Sequence, residues 1–594
     1  MARKRKPHVI DKDKQTPYAG CLEGIPQETA PHVLVSGPTG RGKALVDHTM
    51  IPVADLRRYV PIGQLDVGDK VLEGVTGKPT EVVGVYPQGL KPVFRLRFED
   101  GSTVDCCEEH LWNVRDGAQR RAGEPFETMS LREIIAATRT GERSGFSVPA
   151  GSTREGEDLL IAGIHDFGRE EEMTCIEVAA ESQLFQAGMG HIVTHNTTRV
   201  LAPAALLWQG PRVVVSSKTD YLKWLITKGV HQRGPVYIMD LAGELDPSFD
   251  WLQGVDYSMV TSDPCHLIAN DDDALAMASL LMKVGSLGAS GNAEGGGGSD
   301  AFWQTQAAQP MAALLQAGKA KGDGISWALR AVDKFEKDSD DDTSPSWANA
   351  FEYVANTSFH AQKLLAVTQM DGKLRDSVKA TMLAGLTPWA LTNVRGFGHN
   401  TIPFTPKMME GPDEPTLAII APSDGVAAGA AVGAIETIVR HWRRGIEYGL
   451  DRVLCCVDEL VNTAPLPALP QWVTEARGLG VAFLCAVQST NQMKLRWGED
   501  GAEVLREVFP AHLILEGAPE KDLLEAAAWW DGEKDVARHS HDAQAKSSIS
   551  YERVPVTNPT DLLPKSVEEG RLLRYGKKGY MVDLPGIWRF GTAG

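Results

Sequence analysis

Long apolar runs are missing from this sequence. The most apolar candidate, residues 426–439, is rich in alanine and glycine and carries Glu436, whereas a membrane-spanning helix needs about 20 apolar residues. We therefore predict neither a transmembrane helix nor a signal peptide. Cysteine is also scarce: there are 8, and two pairs are adjacent in sequence (Cys106-Cys107 and Cys455-Cys456). Such a set does not build a disulfide framework in a chain of this size, and a reducing cytoplasm is the simpler setting.

Basic charge is in deficit as well. The formal net charge is −18, which argues against a generally basic nucleic-acid coat but is compatible with a DNA channel lined locally by lysine and arginine. Charged residues make up 23% and hydrophobic residues 43% of the chain, so no large part has to be disordered. A chain of 594 residues is too long for one hydrophobic core, and about three compact units are expected.

One residue is missing from a phosphate-binding loop. Residues 37–43 read GPTGRGK after an apolar run at 33–35, but Ala44 stands where a serine or threonine should follow. The missing hydroxyl occurs at Thr197, just before a helix-like run that begins at Arg199, and joining Lys43 to Thr197 restores GPTGRGKTT. In such a loop the backbone N–H groups cradle phosphates, the lysine reaches the β- and γ-phosphates, and the hydroxyl holds Mg²⁺. The predicted nucleotide-binding residues are Gly37, Thr39, Gly40, Gly42, Lys43, Thr197 and Thr198.

The boundaries of this interruption resemble those of an intein. His195-Asn196-Thr197 has the form of the C-terminal splice junction of that family. The insert is then 44–196, and the host protein consists of 1–43, a polar lead-in with the first half of the loop, and 197–594. Short β-branched or alternating runs at 71–72, 80–85, 93–98 and 102–104, separated by glycines, predict an all-β unit. Because no block resembling a homing endonuclease lies between 115 and 160, the insert resembles a mini-intein with the Hedgehog/intein (HINT) fold.

Inteins usually begin with cysteine or serine, and Ala44 supplies no such nucleophile. The insert nevertheless resembles the class 3 inteins, which start without one and rely on a Trp, Cys, Thr set. Trp112 follows His110 by two positions in a segment that resembles the N-terminal-side splicing block. Cys175 occupies a position in the later strand block where other inteins often have aspartate, and Thr194 precedes the C-terminal junction.

This resemblance implies a splicing route that needs no cofactor. The thiolate of Cys175 attacks the carbonyl of the bond between Lys43 and Ala44, because cysteine is the most nucleophilic side chain near neutral pH. His110 protonates the departing amine. The acyl group passes to the Thr197 hydroxyl, and cyclisation of the junction asparagine releases the insert. The residues assigned to splicing are Cys175, Trp112, Thr194, His110, His195, Asn196 and Thr197, with junctions between Lys43 and Ala44 and between Asn196 and Thr197.

Two other interpretations of the insert stay open. Cys106, Cys107 and His110 are zinc-ligand types, although adjacent cysteines suit one tetrahedral site poorly and no second ligand pair is near them in sequence. The second alternative starts from the missing nucleophile at Ala44, since the insert could be a degenerate intein that no longer splices.

The host segments have the pattern of a parallel α/β sheet. Apolar strands are predicted at 212–218, 236–240, 417–420 and 481–489 between helical runs, and residues at about 268–400 have the spacing of a mostly helical insertion. The apolar run at 453–457 ends in Asp458-Glu459, a Walker B pattern in which Asp458 orients Mg²⁺ and Glu459 activates the attacking water. Gln488 ends a later strand, at the edge where such sheets bind ligands.

These motifs resemble the TraG/TraD-type coupling-protein ATPases of conjugation and type IV secretion, a branch of the FtsK-like RecA-fold motors. The resemblance rests on the phosphate loop and on the segments at 213–220, 300–303, 458–460, 475–478 and 488–489. It implies an ATP- and Mg²⁺-dependent homo-hexamer that translocates DNA, with relaxase or secretion-channel proteins as partners. It also implies that Gln488 senses the γ-phosphate and that Arg477 is an arginine finger, with a surface salt bridge as the alternative for Arg477.

The start of the chain departs from that family. Membrane-anchored members carry transmembrane helices ahead of the phosphate loop, and here only a polar segment precedes it. We expect a cytoplasmic protein: either a separate partner recruits it to the inner face of the membrane, or it is a soluble motor of a phage or mobile element. A phage DNA-packaging or partition-type ATPase is the alternative function.

Overall fold

The computed structural model describes residues 32–37, 45–54, 59–74, 77–108, 110–123, 126–149, 158–178, 185–187, 192–194, 199–290, 298–337, 341–396, 401–422, 425–518, 520–541, 547–565, 569–574, 576–587 and 590. Its first strand, β1 (Val33–Ser36), is buried at all four positions. The next described strand begins at Leu45, so the chain enters the insert directly after β1 and the loop that follows it.

The insert consists mainly of β-strands. They are β2 (Leu45–Val46), β3 (Met50–Pro52), β4 (Tyr59–Pro61), β5 (Lys70–Leu72), β6 (Pro79–Phe98), β7 (Thr103–Cys106), β8 (Leu111–Val114), β9 (Glu127–Ser130), β10 (Ser147–Pro149), β11 (Asp158–Val178), β12 (Phe185–Ala187) and β13 (Ile192–Thr194). One sheet has the order β10-β11-β2-β7-β6-β5, a second has the order β12-β13-β8-β9, and β3 pairs with β4.

Two long strands run through the insert. β6 and β11 pair antiparallel along most of their length. The predicted runs at 80–85 and 93–98 are therefore parts of one strand, although Gly89 lies between them. Gly89 has φ +70° beside a register shift between Met173 and Thr174. A glycine in a β-bulge bends a strand without ending it.

Two short helices lie among these strands, α1 (Gly117–Ala122) and α2 (Leu131–Thr140). Asp116 caps α1 by accepting the N–H groups of Ala118 and Gln119, whereas Ser130 and Glu133 form a reciprocal capping box at the start of α2. Each helix ends at a left-handed glycine, as helix C-termini commonly do. These helices occupy the region between 115 and 160 that carried no endonuclease signal.

The host strands form one eleven-stranded sheet. Those after the insert are β14 (Arg212–Ser216), β15 (Val236–Asp240), β16 (Tyr257–Thr261), β17 (Ile402–Pro403), β18 (Thr416–Ile420), β19 (Val453–Val457), β20 (Val481–Val487), β21 (Ala511–Leu515), β22 (Glu533–His541), β23 (Ser547–Pro555), β24 (Glu569–Arg574) and β25 (Lys577–Asp583). The order is β17-β16-β15-β18-β14-β19-β20-β1-β21-β24-β25, with β22 and β23 as a separate hairpin. Pairing is parallel from β17 to β21 and antiparallel at β24 and β25.

Helices cover this sheet and form the predicted helical insertion. The host helices are α3 (Leu201–Leu207), α4 (Asp220–Thr227), α5 (Pro264–Leu267), α6 (Asp271–Ser290), α7 (Gly298–Lys321), α8 (Gly324–Val332), α9 (Trp347–Val354), α10 (Ala361–Thr368), α11 (Gly372–Leu386), α12 (Thr392–Arg395), α13 (Ala428–Gly445), α14 (Leu460–Thr463), α15 (Leu469–Glu475), α16 (Lys494–Val508) and α17 (Lys521–Trp530). Helices α5 to α12 correspond to the insertion expected at about 268–400. Among the described helices, none is long and apolar enough to cross a membrane.

Side chains of the sheet alternate between two apolar layers. Leu34 packs on the face that carries the helical insertion, whereas Val33 and Val35 pack on the face covered by α3 and α4. Strands β14 and β19 are buried at every position, as expected for parallel strands with helices on both faces. The predicted α/β sheet with a helical insertion and an inserted β-rich unit is confirmed.

Candidate functional site

The predicted nucleotide site lies at the carboxyl edge of the large sheet. Ser36, at the end of β1, pairs with Val487, at the end of β20, and β20 pairs with β19 on its other side. Gly37, Asp458 and Gln488 are each the first residue after one of these three parallel strands, so they lie at the same edge. Ligands bind at this edge in open α/β sheets.

Gly37 occupies a position that admits no side chain. Its N–H donates a hydrogen bond to the carbonyl oxygen of Val487 at 3.1 Å. A Cβ at Gly37 would lie 2.7 Å from Cδ1 of Leu515, which is closer than two carbon atoms approach. Gly37 therefore lies between the ends of β20 and β21, and only glycine fits there.

Glu459 has a strained backbone. With φ 49° and ψ 51° it is the sole non-glycine residue of positive φ in the described part of the chain. The left-handed conformation costs a residue with a Cβ about 1–2 kcal/mol. Thr463 stabilises the turn, because its hydroxyl donates to the Asp458 carbonyl at 2.6 Å and its N–H donates to the Glu459 carbonyl at 3.0 Å. Strain of this kind is concentrated at functional sites.

The loop after β20 is tied to its surroundings by side chains. The amide of Gln492 donates to Oε1 of Gln488 at 2.9 Å, which leaves the amide nitrogen of Gln488 as the group that can donate to a phosphate. Thr490 donates its N–H and its hydroxyl to the two carboxylate oxygens of Glu520, at 2.7 and 2.6 Å. Glu520 is buried, and hydrogen bonds to a charged acceptor are stronger than neutral ones.

Several other predicted residues lie partly or wholly outside the described part of the chain. Arg477 belongs to the 3-10 turn Ala476–Leu479 just before β20, and its side chain is outside the described part of the chain. Helix α3 begins at Leu201, two residues into the helix-like run that starts at Arg199, and the Arg199 guanidinium donates to the carbonyl of Leu584 at 3.0 Å. The predicted residues that lie outside the described ranges are Thr39, Gly40, Gly42, Lys43, Ala44, His195, Asn196, Thr197 and Thr198.

The predicted splicing nucleophile lies beside the first strand of the insert. Strand β2 runs between β11 and β7, because Leu45 pairs with Thr174 on one side and with Cys106 on the other. Cys175 is 2% exposed, and its thiol donates to the Ile176 carbonyl at 3.6 Å. Since Leu45 directly follows Ala44 in sequence, the strand that carries Cys175 pairs with the first residues after the N-terminal junction.

His110 and Trp112 are in contact and fully buried. Their ring centroids are 5.0 Å apart at an angle of 62°. Trp112 also pairs with Thr194 across the antiparallel strands β8 and β13. Its indole Nε1 is shielded from solvent and has no hydrogen-bond partner among the described residues, so this donor is available to a reacting group.

The remaining cysteines have a structural character. Cys106 and Cys107 are buried in two different apolar clusters, so the adjacent side chains point in different directions. Within the described ranges, no group of three or more His, Cys, Asp or Glu residues is arranged to hold a metal ion. In the host, burial raises the pKa of the Cys456 thiol to about 12, which keeps it protonated and unreactive.

Sequence reasoning missed the residues that fix the geometry of the nucleotide site. Gln492 could have been found from its spacing of four residues from Gln488, although only a regular helix makes that spacing informative. Thr463 has a similar spacing from Glu459. Glu520 carries no local signal, since it is 30 residues from Thr490 in sequence.

The sheet contains a strand that leads into the phosphate loop, a Walker B strand and, between them, a strand that is followed by the polar residue Gln488. This arrangement defines a RecA-like P-loop ATPase fold, here interrupted by a HINT-like β unit. Residues 452–566 match the family model described as "TraM recognition site of TraD and TraG". This match confirms the resemblance to TraG/TraD-type coupling proteins that the sequence predicts.

Parts of the chain are also similar to individual proteins. The replicative DNA helicase DnaB of Mycobacterium leprae is 30% identical over 177 residues, which are 28% of this chain and 26% of the relative, so the match spans about a quarter of that protein. A variant of the gp41-1 intein is 28% identical and is covered to 100% by 26% of this chain, with a TM-score of 0.20. The bacterial conjugative coupling protein TrwBdeltaN70 is 16% identical over 65% of this chain and 86% of its own, with a TM-score of 0.41. The family-model match thus makes residues 452–566 coupling-protein-like.

Proposed function

We propose that the chain is the precursor of an ATP-driven, DNA-translocating coupling protein whose insert, residues 44–196, splices itself out and joins Lys43 to Thr197. One observation carries the proposal. Strand β1, which leads into the phosphate loop, is already in the host sheet next to β20, while β2, the first strand of the insert, pairs with the strand that bears Cys175. The chain leaves the host sheet at the interrupted phosphate-loop motif and enters the insert, which contains the residues that we assign to splicing.

Splicing would proceed by four transfers that balance within the chain. The Cys175 thiolate attacks the Lys43 carbonyl, which forms a thioester and releases the amine of Ala44. The hydroxyl of Thr197 takes over the acyl group and returns the thiol. The side-chain amide of Asn196 then attacks its own carbonyl, closing a succinimide and freeing the amine of Thr197. That amine captures the acyl group from its own oxygen, which leaves an ordinary peptide bond.

The surrounding side chains move protons and stabilise charge. His110 would protonate the leaving amine at the N-terminal junction, and His195 would donate a proton during asparagine cyclisation. The buried Nε1 of Trp112 is a donor for an oxyanion that develops at a reacting carbonyl. Thr194, paired with Trp112, links this region to the C-terminal junction.

The nucleotide chemistry would begin once the loop is joined. The described residues fit a nucleotide with Mg²⁺, because Gly37, Asp458 and Gln488 each follow a strand at the same edge of the sheet, where Asp458 supplies a carboxylate. Mg²⁺ supplies charge neutralisation for the phosphates. We assign water activation to Glu459 and contact with the γ-phosphate to Gln488. Arg477 is the proposed arginine finger toward a neighbouring subunit of a homo-hexamer.

DNA is the proposed substrate of the motor. The match of 452–566 to a TraM recognition site of TraD and TraG favours a coupling protein over a phage-packaging or partition-type ATPase, and it suggests relaxase-associated or secretion-channel proteins as docking partners. We propose a cytoplasmic motor recruited to the membrane by such a partner.

Two measurements, made one after the other, test the proposal. Expression of the full chain should give, on a denaturing gel, a free insert and a ligated host, with a Lys43–Thr197 peptide detectable by mass spectrometry. Purified ligated host should then hydrolyse ATP faster when DNA is added. An unprocessed chain would contradict the splicing proposal, and ATP hydrolysis that ignores DNA would contradict the motor proposal.

A further inference from the structure

Within the described residues, strand β2 has few backbone pairs to define its position. It spans two residues and pairs with β11 through Leu45–Thr174 and Val46–Met173, and with β7 through Leu45–Cys106. On its opposite side β11 changes register against β6 at the same place, between Met173 and Thr174. A shift of one residue would turn every side chain of a strand to the other face of the sheet, so some further contact must define the register here.

A side-chain hydrogen bond joins the two strands at this position. The Thr174 hydroxyl donates to Oδ1 of Asp47 at 2.6 Å, and Thr174 is 2% exposed. The Asp47 backbone is fixed from both sides, since its N–H donates to the Glu172 carbonyl at 3.0 Å and its carbonyl accepts the N–H of Gly63 at 3.0 Å.

The carboxylate of Asp47 also fits tightly into its surroundings. A Cβ on Gly63 would lie 2.8 Å from Cγ and 2.9 Å from Oδ2 of Asp47. Glycine at position 63 therefore gives the carboxylate the space to reach Thr174. Two independent features, the short hydrogen bond and the close approach at Gly63, hold one side chain of the insert against β11.

We propose that Asp47 and Thr174 are positioning residues of the splicing reaction, which define the register of β2 and so bring the Lys43–Ala44 bond to Cys175. This inference rests on the proposed role of Cys175. Thr174 directly precedes that thiol, and Asp47 is three residues after Ala44, so one hydrogen bond joins the nucleophile's strand to the segment that follows the scissile bond in sequence. Neither residue takes part in bond making. A nucleophile displaced by about 1 Å can react about 100-fold more slowly.

The test uses the full precursor with Asn196→Ala, which blocks the C-terminal junction. Hydroxylamine cleaves a thioester, so cleavage between Lys43 and Ala44 reports attack by Cys175. We expect Thr174→Val to slow this cleavage about 10-fold or more, and Thr174→Ser, which restores the hydroxyl, to recover it to within about 2-fold. Asp47→Ala should behave like Thr174→Val. The thermal midpoint of the insert should change little in Thr174→Ser.

A matched control exists on the surface of the same unit. Ser102 donates its hydroxyl to Oδ1 of Asp100, also at 2.6 Å, and Ser102→Ala should cleave at the parent rate. Parent-rate cleavage in Thr174→Val, or no recovery in Thr174→Ser, would overturn the positioning role. If Cys175→Ala cleaves as fast as the parent, the proposed nucleophile is wrong instead, so the two failures are distinguishable.

Discussion

Trp112 and Thr194 are opposite each other on the antiparallel strands β8 and β13, although 81 residues separate them in sequence. Both belong to the set of residues that resembles the class 3 inteins. The third member, Cys175, is on β11, which pairs with the first strand after the N-terminal junction. The fold thus connects each member of the set to a strand that leads to one of the two junctions.

The first prediction concerns the nucleophile. Cys175→Ala should abolish formation of the ligated host, because no other cysteine occupies a splicing position and Ala44 has no side-chain nucleophile. Cys106→Ala is the matched control: Cys106 is also buried, and it pairs with Leu45 of β2, yet the Cys106→Ala chain should splice. Gel analysis after expression measures both. Ligated product from the Cys175→Ala chain would disprove the mechanism.

In the spliced protein, Lys43→Ala and Glu459→Gln should both remove ATP turnover for different reasons. Lys43 would hold phosphate, so its loss should weaken nucleotide binding, whereas Glu459 would act on water and its replacement should leave binding intact. Fluorescent-nucleotide titration and phosphate release separate the two effects. Tight binding by Lys43→Ala, or normal turnover by either variant, would count against the site.

Thr463 should increase the rate of ATP turnover, because it stabilises the strained turn at Glu459. Thr463→Val removes the hydroxyl that bonds to the Asp458 carbonyl, and loss of about 1 kcal/mol there should lower turnover roughly 5-fold or more with little change in nucleotide affinity. Thr463→Ser should restore the rate. Thr437 makes a comparable bond to the Gly433 carbonyl at 2.8 Å, within α13, so Thr437→Val serves as the control. Equal rates in Thr463→Val and Thr437→Val would exclude this role.

A splice-dead precursor should fold yet fail as an ATPase. In the Cys175→Ala chain the hydroxyl at Thr197 remains separated from the glycines by the insert, and the run of N–H donors into a helix N-terminus depends on chain continuity. We expect circular dichroism typical of a folded α/β protein together with background ATP hydrolysis. Turnover equal to that of the spliced host would refute the idea that splicing activates the motor.

Two buried histidines should make the host sensitive to acid. Burial, with a smaller contribution from Arg452, lowers the pKa of His32 to about 3, and burial lowers that of His512 to about 4. In the unfolded chain these histidines take up protons below about pH 6.5. Their contribution to the free energy of unfolding is therefore constant above that pH and falls as the pH drops toward 4. The slope should be about 1.4 kcal/mol per pH unit for each histidine.

Urea denaturation of the spliced host between pH 7 and pH 4.5 measures this slope. His32 accepts the Phe483 N–H at 3.1 Å, a bond that the amide oxygen of His32→Asn could also accept. This variant should lower the slope by about 1.4 kcal/mol per pH unit, which is the contribution of one histidine. An unchanged slope in His32→Asn would assign the acid sensitivity to other groups.

Much of this protein could be predicted from local patterns. The phosphate loop, the Walker B pair Asp458-Glu459 and the His195-Asn196-Thr197 junction each require given chemical groups at a fixed spacing, so the sequence alone predicts them. Most of the loop and the whole junction lie outside the described residues, and these assignments stay predictions. Alternating and continuous apolar runs likewise predicted the β-rich insert and the parallel host sheet.

Only the tertiary structure decided how distant segments meet. The order of β19, β20 and β1, the pairing of Leu45 with Thr174, and the bond between Thr490 and Glu520 join residues far apart in sequence. Their positions depend on the packing of whole sheets and helices, which is the sum of many weak contacts. No pattern in a short stretch of sequence predicts such a sum. The left-handed turn at Glu459 belongs to the same group, because a conformation that opposes local preference persists only when the surrounding fold compensates its cost.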